Sequence, residues 1–220
     1  MRSTGRTCRS ETGRLLFLSL ALLFLAGCSG NSAAPVSPID DPYADREYYP
    51  MIPGSEWVYL LSDSTRYTYT LLDTSPAAGG PIGRLNVNGS GQDRIHLVWW
   101  NGTRLNFANS DTNEVFETSL EIPVELGRRW QAFDFSSGDL TLYANAEIIA
   151  MDTTIEVPAG SFPAILVRQA SFHQYRNEEP LLDTLYTAFA RNVGVILWDF
   201  RGLDLRYMLE SWTIGPAGGV

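Results

Sequence analysis

The chain of 220 residues has no lysine, two histidines and two cysteines, and its one long hydrophobic run covers 11 residues. Each scarcity removes a class of function. All 16 basic residues are arginines, and four of them (Arg2, Arg6, Arg9, Arg14) fall in residues 1–27 beside one acid, Glu11. Residues 28–220 are left with 12 basic and 24 acidic side chains, a formal charge of −12 that repels a phosphate backbone and argues against nucleic-acid binding. The two histidines, His96 and His173, stand far apart in separate strand-like stretches without metal-type spacing, which suits structural or surface roles. Neither a metal nor a cofactor is implied. The 11-residue apolar run is too short for a membrane-spanning helix, which needs about 20 residues. After residue 28 no long helical period appears, although Glu178–Leu185 fits one short helical turn.

What is present at the start is ordered: residues 1–14 are basic, residues 15–25 are apolar apart from Ser19, and Leu25-Ala26-Gly27-Cys28 closes the run. This is the layout of a secretory signal. The last four residues resemble the lipobox of bacterial lipoproteins. The resemblance implies a signal peptide over 1–27, a thioether-linked diacylglycerol on Cys28, and a bacterial envelope location held by an N-terminal lipid anchor. Cys8 would leave with the leader, so the mature domain would have no thiol for a disulfide. The alternative is ordinary cleavage nearby, for instance after Gly30, which would release a soluble secreted protein. Ser29 is not the aspartate that retains many such proteins at the inner membrane, so the family analogy implies the outer membrane. Residues 28–47, with three prolines and several small residues, are expected to form a flexible tether of about 25 Å average reach.

A β domain is expected over 48–213 and a flexible tail over 214–220. Short aromatic and β-branched runs such as Glu56–Leu61, Arg66–Leu72, His96–Trp100, Thr103–Phe107 and Leu205–Thr213 alternate with turn residues. The fold class that follows is all-β, an antiparallel sheet of about ten to twelve strands curled into a sandwich or open barrel. Asn101-Gly102 is the strongest hairpin signal, because that pair accepts the positive φ angles of a type I′ turn. The glycine-rich stretch Gly79-Gly80-Pro81-Ile82-Gly83, with Gly89-Ser90-Gly91, lacks the ending of a phosphate loop and reads as mobile loop.

Gly54 and Gly127 each stand three residues before a tryptophan, Trp57 and Trp130, as if a tight turn led into a strand whose first large side chain plugs the core. Gly160 precedes Phe162 in a turn expected to deliver that ring inward, and Gly194 sits before Trp198 as at a bulge. Together "YYPMIPGSEWVY", "VELGRRW", "VPAGSF" and "VGVILW" resemble a group of uncharacterised bacterial lipoproteins and periplasmic β domains. Asn192 stands where that pattern has a glycine. The resemblance covers roughly residues 48–213 and implies a fold, with no catalytic residue to transfer.

No Gly-x-Ser-x-Gly elbow holds a nucleophile, and Ser161 suits a turn. Asp134 with Asp139, and Asp111 with Asn113 and Glu114, fall short of a calcium loop and suit solvated turns. Adjacent Trp99 and Trp100 face opposite sides of a strand, so one of them is a candidate binding surface. The reading favoured by the sequence is a noncatalytic envelope module that binds a protein partner, a glycan or a lipidic ligand. The alternative is a periplasmic hydrolase whose carboxylate or serine site assembles only in space.

Overall fold

The computed structural model describes residues 44–89, 91–109, 116–176 and 178–215. The leader, Cys28, the tether as far as residue 43, Asp111, Asn113 and Glu114, and the tail from residue 216 lie outside the described residues.

A 3-10 helix, Ala44–Tyr48, precedes β1 (Glu56–Leu61), β2 (Arg66–Ser75), β3 (Ile82–Gly89), β4 (Gln92–Asn101), β5 (Arg104–Asn109) and β6 (Phe116–Glu121). The second half comprises β7 (Arg129–Ser137), β8 (Leu140–Val157), β9 (Gly160–Tyr175), β10 (Leu181–Ala190), β11 (Gly194–Phe200) and β12 (Leu205–Thr213). All twelve form one antiparallel sheet in the order β6-β5-β4-β3-β2-β1-β12-β11-β10-β9-β8-β7. This is an up-and-down barrel, nearly closed, whose first and last strands pair and whose open seam falls between β6 and β7 in the middle of the chain. Across that seam the Trp130 indole Nε1–H donates to the Thr118 carbonyl at 2.7 Å.

Each half begins with the same clasp. The Gly54 amide donates to Leu71 O at 2.7 Å, and the Leu71 amide donates back to Ser55 O at 2.9 Å. Gly127 and Arg128 hold Ile148 in the same way, at 2.8 and 3.0 Å. Both glycines adopt positive φ, +83° and +80°, so the paired Gly-x-x-Trp segments are equivalent strand starts. Trp57 and Trp130 are buried in the main hydrophobic cluster, and the Trp57 indole donates to Val193 O at 2.6 Å.

Because strand directions alternate, the turns before β1, β3, β5, β7, β9 and β11 lie at one end of the barrel. That end is plugged by the segment that begins at Ala44. Arg46 Nη2 donates to Gly79 O and Gly102 O at 3.0 and 2.7 Å, the Val124 amide donates to Asp45 Oδ2 at 2.7 Å, and the Asn192 amide donates to Glu47 O at 2.8 Å. Tyr49 stacks on Trp57 with centroids 5.5 Å apart and meets Phe107 edge-on at 5.3 Å. Residues 44–47, expected at the end of the tether, are therefore part of the packed domain, held by polar side chains that an apolar-period reading does not register. Ile214 and Gly215 likewise depart from the expected tail: Ile214 packs against the core, and the Gly215 amide donates to Ser55 Oγ at 3.1 Å.

Three further expectations change. The glycine-rich stretch holds a regular strand, β3, where Leu85 and Val87 face the core. Its glycines are demanded by neighbours, since a Cβ at Gly83 would overlap Leu71 and one at Gly89 would overlap the Tyr67 ring. The Asn101 hairpin is displaced by one residue: Asn101 pairs with Arg104, the loop is Gly102-Thr103, and the single positive φ, +60° at Gly102, belongs to a II′ rather than a I′ turn. Residues from Leu181 extend as β10, so the segment after Glu178 forms no helical turn. The β8–β9 hairpin reaches past β10 and β11 to touch β12, with Ala159 N to Leu209 O at 2.9 Å and Phe162 packed edge-on to Trp212 at 5.3 Å.

Replacing Trp57 with alanine should leave a cavity and cost about 3–5 kcal/mol in denaturant unfolding, whereas Trp99→Ala should cost far less. Trp130→Phe keeps most of the ring and should cost about 1 kcal/mol through the lost bond across the seam. A near-neutral Trp57→Ala would show that the strand-start tryptophans are not core plugs.

Candidate functional site: the open end of the barrel

Away from the plug the lumen is filled for about two layers. Trp57, Tyr59, Leu71, Leu85, Val98 and Trp100 are each at most 2% exposed. Beyond them the inward-facing positions change character. Along β2 the alternation that buries Leu71 brings Tyr69 and Tyr67 to the same face, and along β4 the alternation that buries Val98 and Trp100 brings His96 and Arg94 there. With Val87, Gly89 and Tyr207 these side chains line a cavity of about 400 Å³ at the mouth.

Aromatic packing fixes the cavity wall. Tyr207 lies 5.7 Å from Tyr67, 6.1 Å from Trp198 and 6.1 Å from Phe200 by ring centroids. Tyr69 lies 5.1 Å from Tyr59 and 5.7 Å from Trp198. Gly89 leaves room for the Tyr67 ring directly opposite it in the ladder. Burial raises the pKa of Tyr69, with Tyr207 and Tyr67 adding to the shift. Burial also raises that of Tyr207, reinforced by Tyr67 and Asp63. Both hydroxyls therefore stay protonated and are able to donate hydrogen bonds.

His96 is shared with a second cavity of about 230 Å³, lined also by Phe107, Ala108, Asn109, Glu117 and Phe133. Phe133, which lines this cavity, also meets His173 in a T-shaped contact at 6.4 Å. Desolvation raises the Glu117 carboxyl pKa, against the opposing hydrogen bonds from Gln169 and Ser119.

A larger groove of about 480 Å³ lies over β7, β8 and β9, lined by Arg129, Trp130, Asn145, Glu147 and Arg168 among others. Its charges are already engaged: Glu147 accepts from Arg129 at 3.0 Å and Arg168 at 2.8 Å. The Arg129 hydrogen bond, ahead of the opposing desolvation, keeps the Glu147 pKa below the usual carboxylate range. The mouth is the better candidate site, because its rings and polar groups line a recess less open than this groove.

The residues singled out in the sequence distribute differently. Trp100 is buried under the Arg46 guanidinium at 5.5 Å, while half-buried Trp99 faces outward against Phe116 at 5.8 Å. Neither lines the mouth. Trp198 supports the mouth from behind, through Tyr69 and Tyr207. Gly160 and Gly194 take φ of +135° and +107°, and the ladder irregularity falls after Gly194, where Phe189 pairs with Val195 and Ala188 with Leu197. Asp139 pairs with Arg176 at 2.9 Å and Asp134 accepts from Gln131 at 3.1 Å. Among the described residues no group of three or more His, Cys, Asp or Glu side chains could hold a metal ion. The mouth residues Arg94, Glu117 and Tyr207 escaped attention in the sequence; the alternation along Arg66–Leu71 sets Tyr67 and Tyr69 on one face without marking them as a site, and Arg94-x-His96 carries the same period of two.

No family model and no curated protein sequence matches the chain. Two solved structures share the fold. One, from Parabacteroides distasonis and described as a lipoprotein, is 12% identical with a TM-score of 0.54, over 76% of this chain and 98% of that one. The other, from Bacteroides fragilis and described as an exported protein with a YmcC-like fold, is 12% identical with a TM-score of 0.51, over 73% and 96%.

Glu117 carries a pH signature. A carboxyl with a raised folded pKa favours folding most below its unfolded value of about 4.3 and loses that contribution as pH rises through the folded value. Glu117→Gln should therefore gain stability relative to wild type as pH is raised from about 4 to 8. Parallel denaturation curves at the two pH values measure this, and a difference independent of pH would refute it.

Proposed function

We propose that the chain is a lipid-anchored bacterial envelope protein whose barrel is a noncatalytic binding module, with its ligand received at the open end. The observation that carries the binding part is a lumen filled on the plug side and hollow at the other, where rings, hydroxyls and cations converge on about 400 Å³. Among the described residues the filled layers lie on the plug side, and the hollow part lies at the mouth. The envelope part is supported by the leader pattern ending at Cys28 and by two structures of the same fold, described as a lipoprotein and as an exported protein. Several acyl chains, at about 0.8 kcal/mol per buried methylene, would hold the domain on a membrane nearly permanently.

One observation favours the alternative of a hydrolase: Glu117, its carboxyl pKa raised by desolvation, shares a cavity with His96. A glycoside-cleaving pair needs a second carboxylate across the cleft, and among the described residues lining that cavity Glu117 is the one acid. Binding accounts for the mouth more completely.

Cys28→Ser should abolish incorporation of labelled fatty acid and move the protein from membrane to soluble fractions. A wild-type chain that takes no label yet fractionates unchanged with membranes would overturn the anchor. For the module, Tyr207→Ala should abolish uptake by the full chain of whichever solute it binds, and turnover of a saccharide or ester substrate dependent on Glu117 would replace binding with hydrolysis.

A further inference from the structure

We infer that the outer face of β8, β9 and β10 at the mouth end is a docking surface for a basic amphipathic helix of a partner protein. The surface is distinct from the mouth cavity, whose lining shares none of its side chains. Tyr143, Phe172 and Leu182 stand opposite one another in the ladders of β8, β9 and β10, so they share one face, the face turned away from buried Ala144 and Val167. Tyr143 and Phe172 stack with centroids 4.8 Å apart. Past Leu182 a short 3-10 helix, Arg201–Leu203, is fastened to β10 by the Gly202 amide, which donates to Asp183 Oδ1 at 2.7 Å. Leu203, the next residue, thus lies near the start of β10. Leu182 is 70% exposed and Leu203 66%, and Leu181 and Tyr175 at the strand ends are 60% and 47% exposed. Among the described residues the other exposed apolar side chains are more scattered: Phe116 has Trp99 beside it, Trp212 has Phe162, and Leu72 and Leu126 stand on β2 and in the turn before β7. A contiguous apolar patch of this kind is a site that another molecule covers.

Charge selects the occupant. Glu178 and Glu179 in the turn before β10, and Asp204 after Leu203, are exposed, and among the described residues no arginine pairs with their carboxylates. Asp134, opposite Tyr143, ends the row at β7. The nearest cations are engaged: Arg176 bonds Asp139 at 2.9 Å, and Arg168, four residues along β9 from Phe172, is held by Glu147 at 2.8 Å. A second copy seated here by two-fold symmetry would bring these carboxylates against their equals, and an anionic bilayer would repel them. A partner with lysine or arginine beside its apolar side chains meets both features. Backbone selects a helix. β8, β9 and β10 are each paired on both sides, so no free edge is left for an added strand. Neighbouring strands lie about 4.8 Å apart, close to the helical pitch of about 5.4 Å, so a helix lying across them sets one apolar residue per turn over the row.

The test uses the full-length Cys28→Ser chain, without detergent, and a fluorescent helical peptide of about 18 residues with leucines at i, i+3, i+4 and i+7 and lysines on the flanks. Its counterpart carries glutamate for every lysine. Fluorescence anisotropy should show the lysine peptide binding roughly tenfold or more tightly than the glutamate peptide, a preference that shrinks as salt is raised to about 0.5 M. Leu182→Ser combined with Leu203→Ser should weaken the lysine peptide roughly tenfold or more, and Glu178→Gln with Glu179→Gln should narrow the preference. Leu126→Ser, an equally exposed leucine at the plugged end, should change neither. If the leucine variant fails to fold, the glutamine variant, altered only in an exposed turn, decides the matter. Equal binding of the two peptides, binding of neither, or binding that survives Leu182→Ser with Leu203→Ser overturns the inference. So does self-association of the chain, or adsorption to phosphatidylglycerol vesicles, that the same pair of leucine substitutions removes, because the occupant is then a second copy or a lipid surface.

Discussion

The pairing of β1 with β12 is the constraint on which the rest of the barrel depends. Its ladder runs from Glu56 opposite Thr213 to Leu61 opposite Tyr207, and it joins two six-stranded meanders into one sheet. Without it each half would end in an exposed edge and leave its inward tryptophan half covered. The ladder is irregular between Val58 and Tyr59, where Glu210 is the extra residue and turns outward to meet Arg66 at 2.6 Å. Beyond that point Leu209 faces Tyr59 and Tyr207 faces Leu61. Tyr207 is thus placed in the mouth by barrel closure, and the rest of the lining by the local hairpins of β2, β3 and β4.

The lumen shows why a filled barrel and a binding site coexist in so small a sheet. Twelve strands enclose more space than short side chains fill, and this chain supplies tryptophan and tyrosine where the packing is densest. Buried hydroxyls and indoles need partners. Trp57 finds Val193 O and Tyr59 finds Val195 O at 2.8 Å, both at the start of β11, two strands along from β1. Toward the mouth, polar side chains such as Arg94 and His96 take the inward positions. Glu117 stands at that border: Gln169 reaches it from β9, yet desolvation still dominates its protonation.

What was legible in the sequence follows the range of each interaction. Period-two alternation and turn residues are local, so the all-β class and the number of strands came through; the glycines of the two Gly-x-x-Trp segments share one backbone conformation. Strand β3 was lost because Gly83 and Gly89 look like loop residues until the Leu71 and Tyr67 side chains that occupy their missing Cβ positions are known. The mouth was hidden for the same reason. Tyr67, Arg94, Glu117 and Tyr207 are scattered along the chain, and only the ladder order sets them around one opening. Trp99 and Trp100 were conspicuous by adjacency, a local property, and adjacency separated them to opposite faces.

The plug gives the barrel a direction. Its 3-10 helix bonds to the loop before β3, the turn before β5 and the loop before β7, and it accepts from the turn before β11, so four connections at one end are fastened to the segment at which the described chain begins. Arg191 adds an ion pair to Glu47 and stands over the Tyr48 ring at 4.6 Å. Any pull on the chain ahead of Ala44 is therefore borne first by this end, through buried Tyr48 and Tyr49 and the stack on Trp57. The mouth, a barrel length away and walled by rings anchored to β2, β11 and β12, shares none of those hydrogen bonds.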